Sequence, residues 1–226
     1  MHPVARTVLA RKSCRQFLKD KPVSDDLIKE LLEHASRAPS GGNLQSWTSR
    51  VYVVNGKARD EMVEFLQGKA VGGSEYDIYP TDLGEPYRSR RAKVGADMYD
   101  LLGVGKKDTA SKMKHVQRNF EFFDAPAGIF FTVELNNPPQ WSDIGMFMQT
   151  FMLLATERGL ATCAQEAWAN HAPLVKEYFN IPGEHILFAA IALGYEDTSA
   201  PVNKLKTDRA PISEFVTFVQ PRGSKL

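Results

Sequence analysis

The 226-residue sequence is 43% hydrophobic with 28 Lys and Arg against 27 Asp and Glu, so it can bury a sizeable core, and it is expected to fold as one domain over residues 1–226. A net charge of +1 gives no ground for nucleic acid as a partner, and the N-terminus lacks a signal peptide's apolar core while no stretch approaches a membrane span, so a soluble protein with no membrane partner is expected. Cys14 and Cys163 are too few and too far apart for a disulfide framework or a cysteine metal site, and the five histidines are scattered singly, which implies no metal and a reducing, cytoplasmic setting.

Val4, Val8 and Leu9 form a helical stripe that runs into Arg11-Lys12-Ser13-Cys14-Arg15. Three cations and a hydroxyl this close together suit an anion pocket, with Arg giving bidentate donors and helix-terminal amides adding to them if the helix breaks here. A solvated charged face would read the same way. Ser24-Asp25-Asp26-Leu27 opens the next helix, with Ser24 as N-cap and apolar residues from Leu27 to Ala38 at helical spacing. Pro39 is expected to end it.

Ala38-Pro39-Ser40-Gly41-Gly42-Asn43-Leu44-Gln45-Ser46-Trp47 is the most informative stretch. Gly41 and Gly42 permit backbone conformations that a Cβ forbids, so main-chain amides can press against a planar ligand, and Asn43 and Gln45 add paired donors and acceptors. A flat heterocycle with an alternating donor and acceptor edge, such as a flavin ring, needs that combination. A plain helix–loop–strand connection fits the same ten residues.

Residues 50–54 read as a buried strand turning at Asn55-Gly56 into a helix from about Lys57. Residues from about 68 to 124 are less regular and carry a cation-rich helical stretch, Lys106 to Phe123. Such an excursion is a candidate lid or substrate wall, with Phe120 and Phe123 able to stack on a flat acceptor. Gly103-Val-Gly105-Lys106-Lys107 lacks the earlier glycine of a phosphate loop and is set aside.

Gly128 to Val133 is a second apolar strand, and Trp141 to Arg158 a helix apolar around most of its circumference, which suggests burial on nearly all sides and a subunit interface. Gly159 to Trp168 embeds Gln165 and Glu166 among apolar residues, Ile186 to Leu193 is a third strand, and Lys204, Lys206 and Arg209 form a second basic cluster. Phe215 to Val219 reads as a terminal strand that could pair with another subunit.

Arg11-Lys12-Ser13-x-Arg15, Pro39-Ser40-Gly41-Gly42-Asn43-x-Gln45-x-Trp47, Gly159-Leu160 to Glu166, and Gly194-Tyr195 followed by Lys206 and Arg209 occur in the order that resembles the FMN-dependent nitroreductase family. The resemblance implies an α+β fold, three-layer α/β/α with a mixed central sheet, in an intertwined homodimer whose C-terminal strand is exchanged. It places FMN at the subunit interface. Arg11, Lys12, Ser13, Lys206 and Arg209 inherit the phosphate and polar-edge role, and Arg15 the position whose cation faces N1 and O2 of the ring. Pro39, Ser40, Gly41, Asn43 and Gln45 would come from the other subunit, while Ala164, Gln165 and Glu166 would lie over the ring near N5. Lys206-Thr-Asp-Arg209 is one residue longer than the commonest family spacing, and Ala167 stands where many members have Gly.

The implied activity is two-electron, ping-pong reduction of a nitroaromatic compound or a quinone by NADPH or NADH, with no protein nucleophile. A reductive dehalogenase or a flavin-fragmenting branch of the same superfamily carries similar motifs. So would a flavin-binding carrier or sensor without turnover.

Overall fold

The computed structural model describes residues 2–70, 72–134 and 138–219. Its strands are β1 (Val51–Asn55), β2 (Ala127–Val133), β3 (Ala161–Gln165) and β4 (Ile186–Gly194), and its α-helices α1 (Pro3–Ala10), α2 (Asp25–Ala35), α3 (Lys57–Leu66), α4 (Tyr87–Leu101), α5 (Thr109–Gln117), α6 (Pro138–Glu157) and α7 (Ala172–Phe179). Every position of β2 is buried. A strand with no polar side must be covered on both faces, and this one sits inside the sheet order β1-β2-β4-β3.

Ala127, Ile129, Phe131 and Val133 face a core closed by α2 and α6, whereas Phe130 faces a second core closed by α3, α7 and the Arg118–Asp124 turns. On β4 the pairing slips between Phe131 and Thr132, because Ala189 pairs with Phe131 and Leu187 with Thr132, leaving Phe188 unopposed. That bulge inverts the facing. Ala189, Ile191 and Leu193 join the first core, and Leu187, Ala190 and Ala192 the second.

The layers are those expected, α/β/α, and among the described residues of the one chain the three strand pairings are antiparallel, so the mixed character expected of the sheet does not arise from these four strands. Among the described residues, parallel pairing occurs as isolated bridges, Ser13 with Thr162 and Gly73 with His171. The Ser13 segment cannot extend its bridge into a strand because it soon swings to an antiparallel contact, Phe17 with Glu196.

Ser24 caps α2 by accepting from the Leu27 amide at 3.3 Å, and Ile28, Leu31 and Ala35 face α6 and the sheet. The helix stops at Ala35, ahead of Pro39. On α6 the buried face is Ile144, Phe147, Met148, Phe151 and Ala155, while Met146 stays 37% exposed. One chain therefore covers α6 on one side rather than all round. The helical stretch expected over Lys106 to Phe123 is shorter, α5 followed by 3₁₀ turns, and α4, absent from the sequence reading, buries none of its residues.

Phe215 to Val219 is not a strand. A 3₁₀ turn at Ile212–Glu214 precedes it, and Phe215, Phe218 and Val219 are 69%, 80% and 89% exposed. An apolar segment becomes a strand only beside an edge that accepts its amides, and no described strand of the same chain pairs with it.

Gly128 lies directly under the ring of Phe122, and a Cβ there would fall inside van der Waals contact with Cε1 and Cζ. Trp168 at 4.7 Å and Phe130 at 5.7 Å pin that ring, so it has little room to yield. Gly128→Ala should cost about 1–3 kcal/mol, read as a lower denaturant midpoint at constant slope. An unchanged midpoint would show that the second core is looser than this packing implies.

Candidate functional site

α1 does break at the first basic motif, with Arg11 as its C-cap and the Arg11 amide bonded to the Thr7 carbonyl at 3.0 Å. The helix thus presents carbonyls here, not the amides that the sequence reading allowed for. That end favours cations. Beyond it the chain lies along β3, with Ser13 bridging Thr162 and the Cys14 amide donating to the Thr162 carbonyl at 2.9 Å. Cys14 and Phe17 are buried in the second core, so Ser13 and Arg15 are left on the partly open side.

Asn203, which the sequence reading missed, fixes this segment. Its Oδ1 accepts from the Arg15 amide at 2.8 Å, and its Nδ2 donates to the carbonyls of Gln16 at 2.8 Å and Asp197 at 2.9 Å. Its own carbonyl accepts from Lys12 Nζ at 2.7 Å, and that ammonium also pairs with Glu196 at 2.7 Å. Lys12 is thus engaged by the chain itself, while its side chain stays 42% exposed. A polar residue in a loop carries no periodic signal, which is why Asn203 was not visible.

Arg11 and Arg15 have no carboxylate within ion-pair distance among the described residues, whereas Arg118 is matched by Asp124 at 2.8 Å. Both lie close enough to β3 to act on Cys163: burial pushes that thiol up, and Arg15 and then Arg11 oppose it. Burial likewise pushes Cys14 up to about 12, leaving both sulfurs as inert packing groups.

The end of β3 and the 3₁₀ turn that follows it divide the predicted trio. Ala164 and Glu166 are exposed, and Gln165 between them is buried. Gln165 Nε2 donates to the Asn119 carbonyl at 2.8 Å, and its Oε1 accepts from Trp168 Nε1 at 3.3 Å. Its side chain cannot face a ligand alongside its neighbours. Desolvation holds the Glu166 carboxyl above the usual range, and burial, with the Glu166 charge, holds the Tyr76 phenol up as well.

The Pro39 loop has the predicted backbone freedom and more. Gly42, Asn43 and Gln45 have φ of 57°, 57° and 53°. Gln45 gains nothing from a left-handed conformation, which costs about 1–2 kcal/mol, so the surroundings must impose it. Asp143 of α6 does so, its Oδ1 accepting from the Gly41 amide and its Oδ2 from Ser46 Oγ, both at 3.1 Å, while Ser40 Oγ accepts from the Gln45 amide at 3.0 Å. Trp47 stacks on Phe147 at 5.3 Å below. The result is a rigid loop with Pro39, Gly41 and Asn43 exposed, and its described hydrogen bonds run to α6, not to the Arg11–Arg15 segment.

Lys206 follows Asn203 by three residues, so the chain keeps its Cα within about 11 Å of the clasp. Arg209 bonds to Thr207 at 2.7 Å and lines a cavity of about 250 Å³ with Arg90, Lys93 and Asp97. Of the two predicted aromatic walls, Phe120 is half-buried, its ring edge-on to His171 at 4.2 Å. Phe123 is 2% exposed and forms part of the second core. Left-handed φ at Phe122 and Phe123 turns both rings inward, so Phe123 does not stand as a substrate wall.

The model of the nitroreductase family matches residues 8–195. The chain is 36% identical over 217 residues, 92% of this chain and 93% of the relative, to a nitrobenzene nitroreductase of Ectopseudomonas oleovorans. It is 35% identical over 216 residues, 94% of this chain and 93% of the relative, to a 4-nitrobenzoate reductase of Pseudomonas putida. Among solved structures, the FMN and NADPH-dependent nitroreductase NfnB of sphigopyxis sp. strain HMH superposes with a TM-score of 0.91 at 36% identity, over 97% of this chain and 100% of that one.

His115 lies between Tyr99 at 6.2 Å and Phe123 at 5.7 Å, with its Nε2 buried and lacking a hydrogen-bond partner among the described residues. Burial, then the charges of Arg118 and Arg15, lower it from 6.5 to about 4. The unfolded chain takes this proton near 6.5 and the folded one only near 4, so stability is lost as pH falls through that window and is unaffected above it. His115→Phe should flatten this part of a denaturation series run from about pH 7 to about pH 4.5. Equal slopes in the two proteins would contradict the buried neutral imidazole.

Proposed function

Because the chain belongs to the nitroreductase family, we propose that it is an FMN-dependent NAD(P)H oxidoreductase that reduces nitroaromatic compounds. The observation that carries this is the pair of guanidiniums, Arg11 and Arg15, without carboxylate partners among the described residues, beside a strand whose Ala164 is exposed and is followed by the exposed Glu166. That donor set fits FMN: cations for a phosphate and for an electron-rich ring edge, and a methyl-sized side chain where a flat ring needs space. When bound, FMN supplies hydride acceptance from the nicotinamide and two-electron donation to the acceptor.

The chain's own residues bind, orient and polarise. Arg11 and Ser13 hold the phosphate, with Lys206 and Arg209 closing on it from the tail. Arg15 sets a positive charge at the ring edge that stabilises negative charge arriving there. Ala164 leaves the ring face open, and Glu166, partly desolvated, borders it. Phe120 provides an aromatic wall for an electron-poor arene.

No described hydrogen bond joins the Pro39 loop to the Arg11–Arg15 segment of the same subunit. A homodimer answers this, with Pro39, Ser40, Gly41, Asn43 and Gln45 delivered by the partner and the exposed Phe215 to Val219 segment pairing along the partner's sheet. The exposed Met146 side of α6 and α4 without buried residues support the same assembly. Residues 1–226 act as one domain, with 68–124 as an excursion over the site. Buried, unpaired Cys14 and Cys163 suit the cytoplasm. Relatives named for nitrobenzene and 4-nitrobenzoate reduction favour this reading over dehalogenation or a carrier role.

The protein should purify yellow, and under anaerobic conditions its absorbance should bleach with NADPH and return on adding 4-nitrobenzoate. Bound FMN whose colour neither NADPH nor NADH removes would instead support a carrier. Arg11→Ala or Arg15→Ala should weaken FMN retention by about 1.5–3 kcal/mol each, measured by flavin fluorescence titration, and unchanged affinity in both would overturn the assignment. Deleting residues from Phe215 onward should cost dimerisation and FMN together. A truncated, FMN-loaded monomer in sedimentation would refute the exchanged segment.

A further inference from the structure

We propose that Glu166 is the acid that protonates the departing oxygen of a nitro acceptor, an inference that rests on the nitroreductase reading above. Reducing a nitro group to a nitroso group takes one hydride and one proton and releases water. The electron pair of the hydride stays on the nitrogen, one N–O bond breaks, and the freed oxygen needs two hydrogens, one from the hydride and one from an acid. That acid must reach the acceptor and recover its proton from solvent.

Position comes first. Glu166 opens the 3₁₀ turn Glu166–Asn170 at the end of β3, two residues beyond Ala164, so the two Cα atoms are at most about 7.6 Å apart. Gln165 between them donates to the carbonyl and the side chain of Asn119 at 2.8 and 3.2 Å, and Phe120 sets its ring edge-on to Trp168 of the same turn at 5.4 Å. The Phe120 wall and the Glu166 carboxyl are therefore held at one end of β3, next to the small side chain that leaves room for a flat ring.

The other titratable groups near this turn are committed or enclosed. Tyr76 feels the Glu166 charge, but its hydroxyl donates to the Phe188 carbonyl, and burial pushes the phenol well up. His171 closes the turn at 5% exposure and burial lowers it, while His115 is lowered to about 4 with its Nε2 enclosed, so neither imidazole is protonated at neutral pH. Among the described residues, no cation lies within ion-pair distance of Glu166. β4, packed against the turn, carries no charged side chain, and in the Arg118–Asp124 turns, which also meet it, Arg118 is taken by Asp124 and leaves Glu121 as the remaining charge. Glu166 is thus a carboxyl with no partner to hold it ionised. Desolvation keeps it above the usual 4.5, which gives it a larger protonated fraction than an ordinary glutamate, and its exposure lets water return the proton.

The test compares anaerobic single-turnover reoxidation of the reduced, FMN-loaded protein by nitrobenzene and by ferricyanide, which takes electrons without a proton, from about pH 5 to about pH 8. The acid form is lost as pH rises, so the rate ratio of nitrobenzene to ferricyanide should fall with pH in the unsubstituted protein. In Glu166→Gln the ratio should be at least about tenfold lower and flat. Independently of turnover, carbon-13 spectra of labelled glutamate carboxyls should contain one group that titrates above the usual 4.5 and is missing from the variant. A sloping ratio that survives in Glu166→Gln, or the absence of such a carboxyl, would overturn the acid role and leave the nitroreductase reading standing. If ferricyanide but not nitrobenzene reoxidised the unsubstituted protein, the nitroreductase reading would fall and this proposal with it.

Discussion

The carboxamide of Asn203 joins the two ends of the chain, and the arrangement of the arginines follows from it. It pairs with the Arg15 amide and with the Gln16 and Asp197 carbonyls while almost fully buried, at 3% exposure. A buried backbone group left without a partner costs about 1–3 kcal/mol, so no apolar residue could replace this side chain without leaving several of them unsatisfied. Because the bond is made to the backbone of Arg15, the direction of that residue is set before any ligand contributes. Lys12 and Glu196 close the same clasp from the side, and in doing so remove one cation from the local excess.

The charge pattern around it is selective. Lys12 is neutralised by Glu196 and Arg118 by Asp124, which leaves Arg11 and Arg15 as cations seeking an anion. A phosphate or an electron-rich ring arriving beside them would meet cations that no described carboxylate already holds. The basicity of His115 is depressed first by burial, and the charges of Arg118 and then Arg15 add to it. The sheet does its part through the bulge at Phe188: by rotating the facing of β4 it gives both cores an apolar lining, and the second core presses the Ser13–Phe17 segment onto β3.

Much of this was legible in the sequence because its signals are local. Three of the four strands, β1, β2 and β4, announced themselves as short apolar runs, whereas β3, Ala-Thr-Cys-Ala-Gln, carries no such signal; the Ser24 cap with its two acids marked the start of α2. The glycines of the Pro39 loop forecast left-handed backbone, although Asn43 and Gln45 adopting it as well depends on Asp143, about a hundred residues away. What escaped depends on distant partners. α4 shows no apolar stripe because it has no core to face within one chain, and Phe215 to Val219 has strand composition without a described edge to join. Phe123 looked available until the backbone at Phe122 and Phe123 turned it inward. Gln165 could have been separated from Ala164 by alternation, since neighbours on a strand face opposite sides.

The central claim is that the Asn203 clasp positions the cations that hold FMN, and the most direct test is the FMN dissociation constant of Asn203→Ala measured beside its unfolding midpoint. The account predicts FMN binding weakened by about tenfold or more in a protein that still unfolds cooperatively above the assay temperature, with a smaller loss in Lys12→Met, which removes only the outer contact. An Asn203→Ala protein that is folded and binds FMN as tightly as the unsubstituted chain would contradict it.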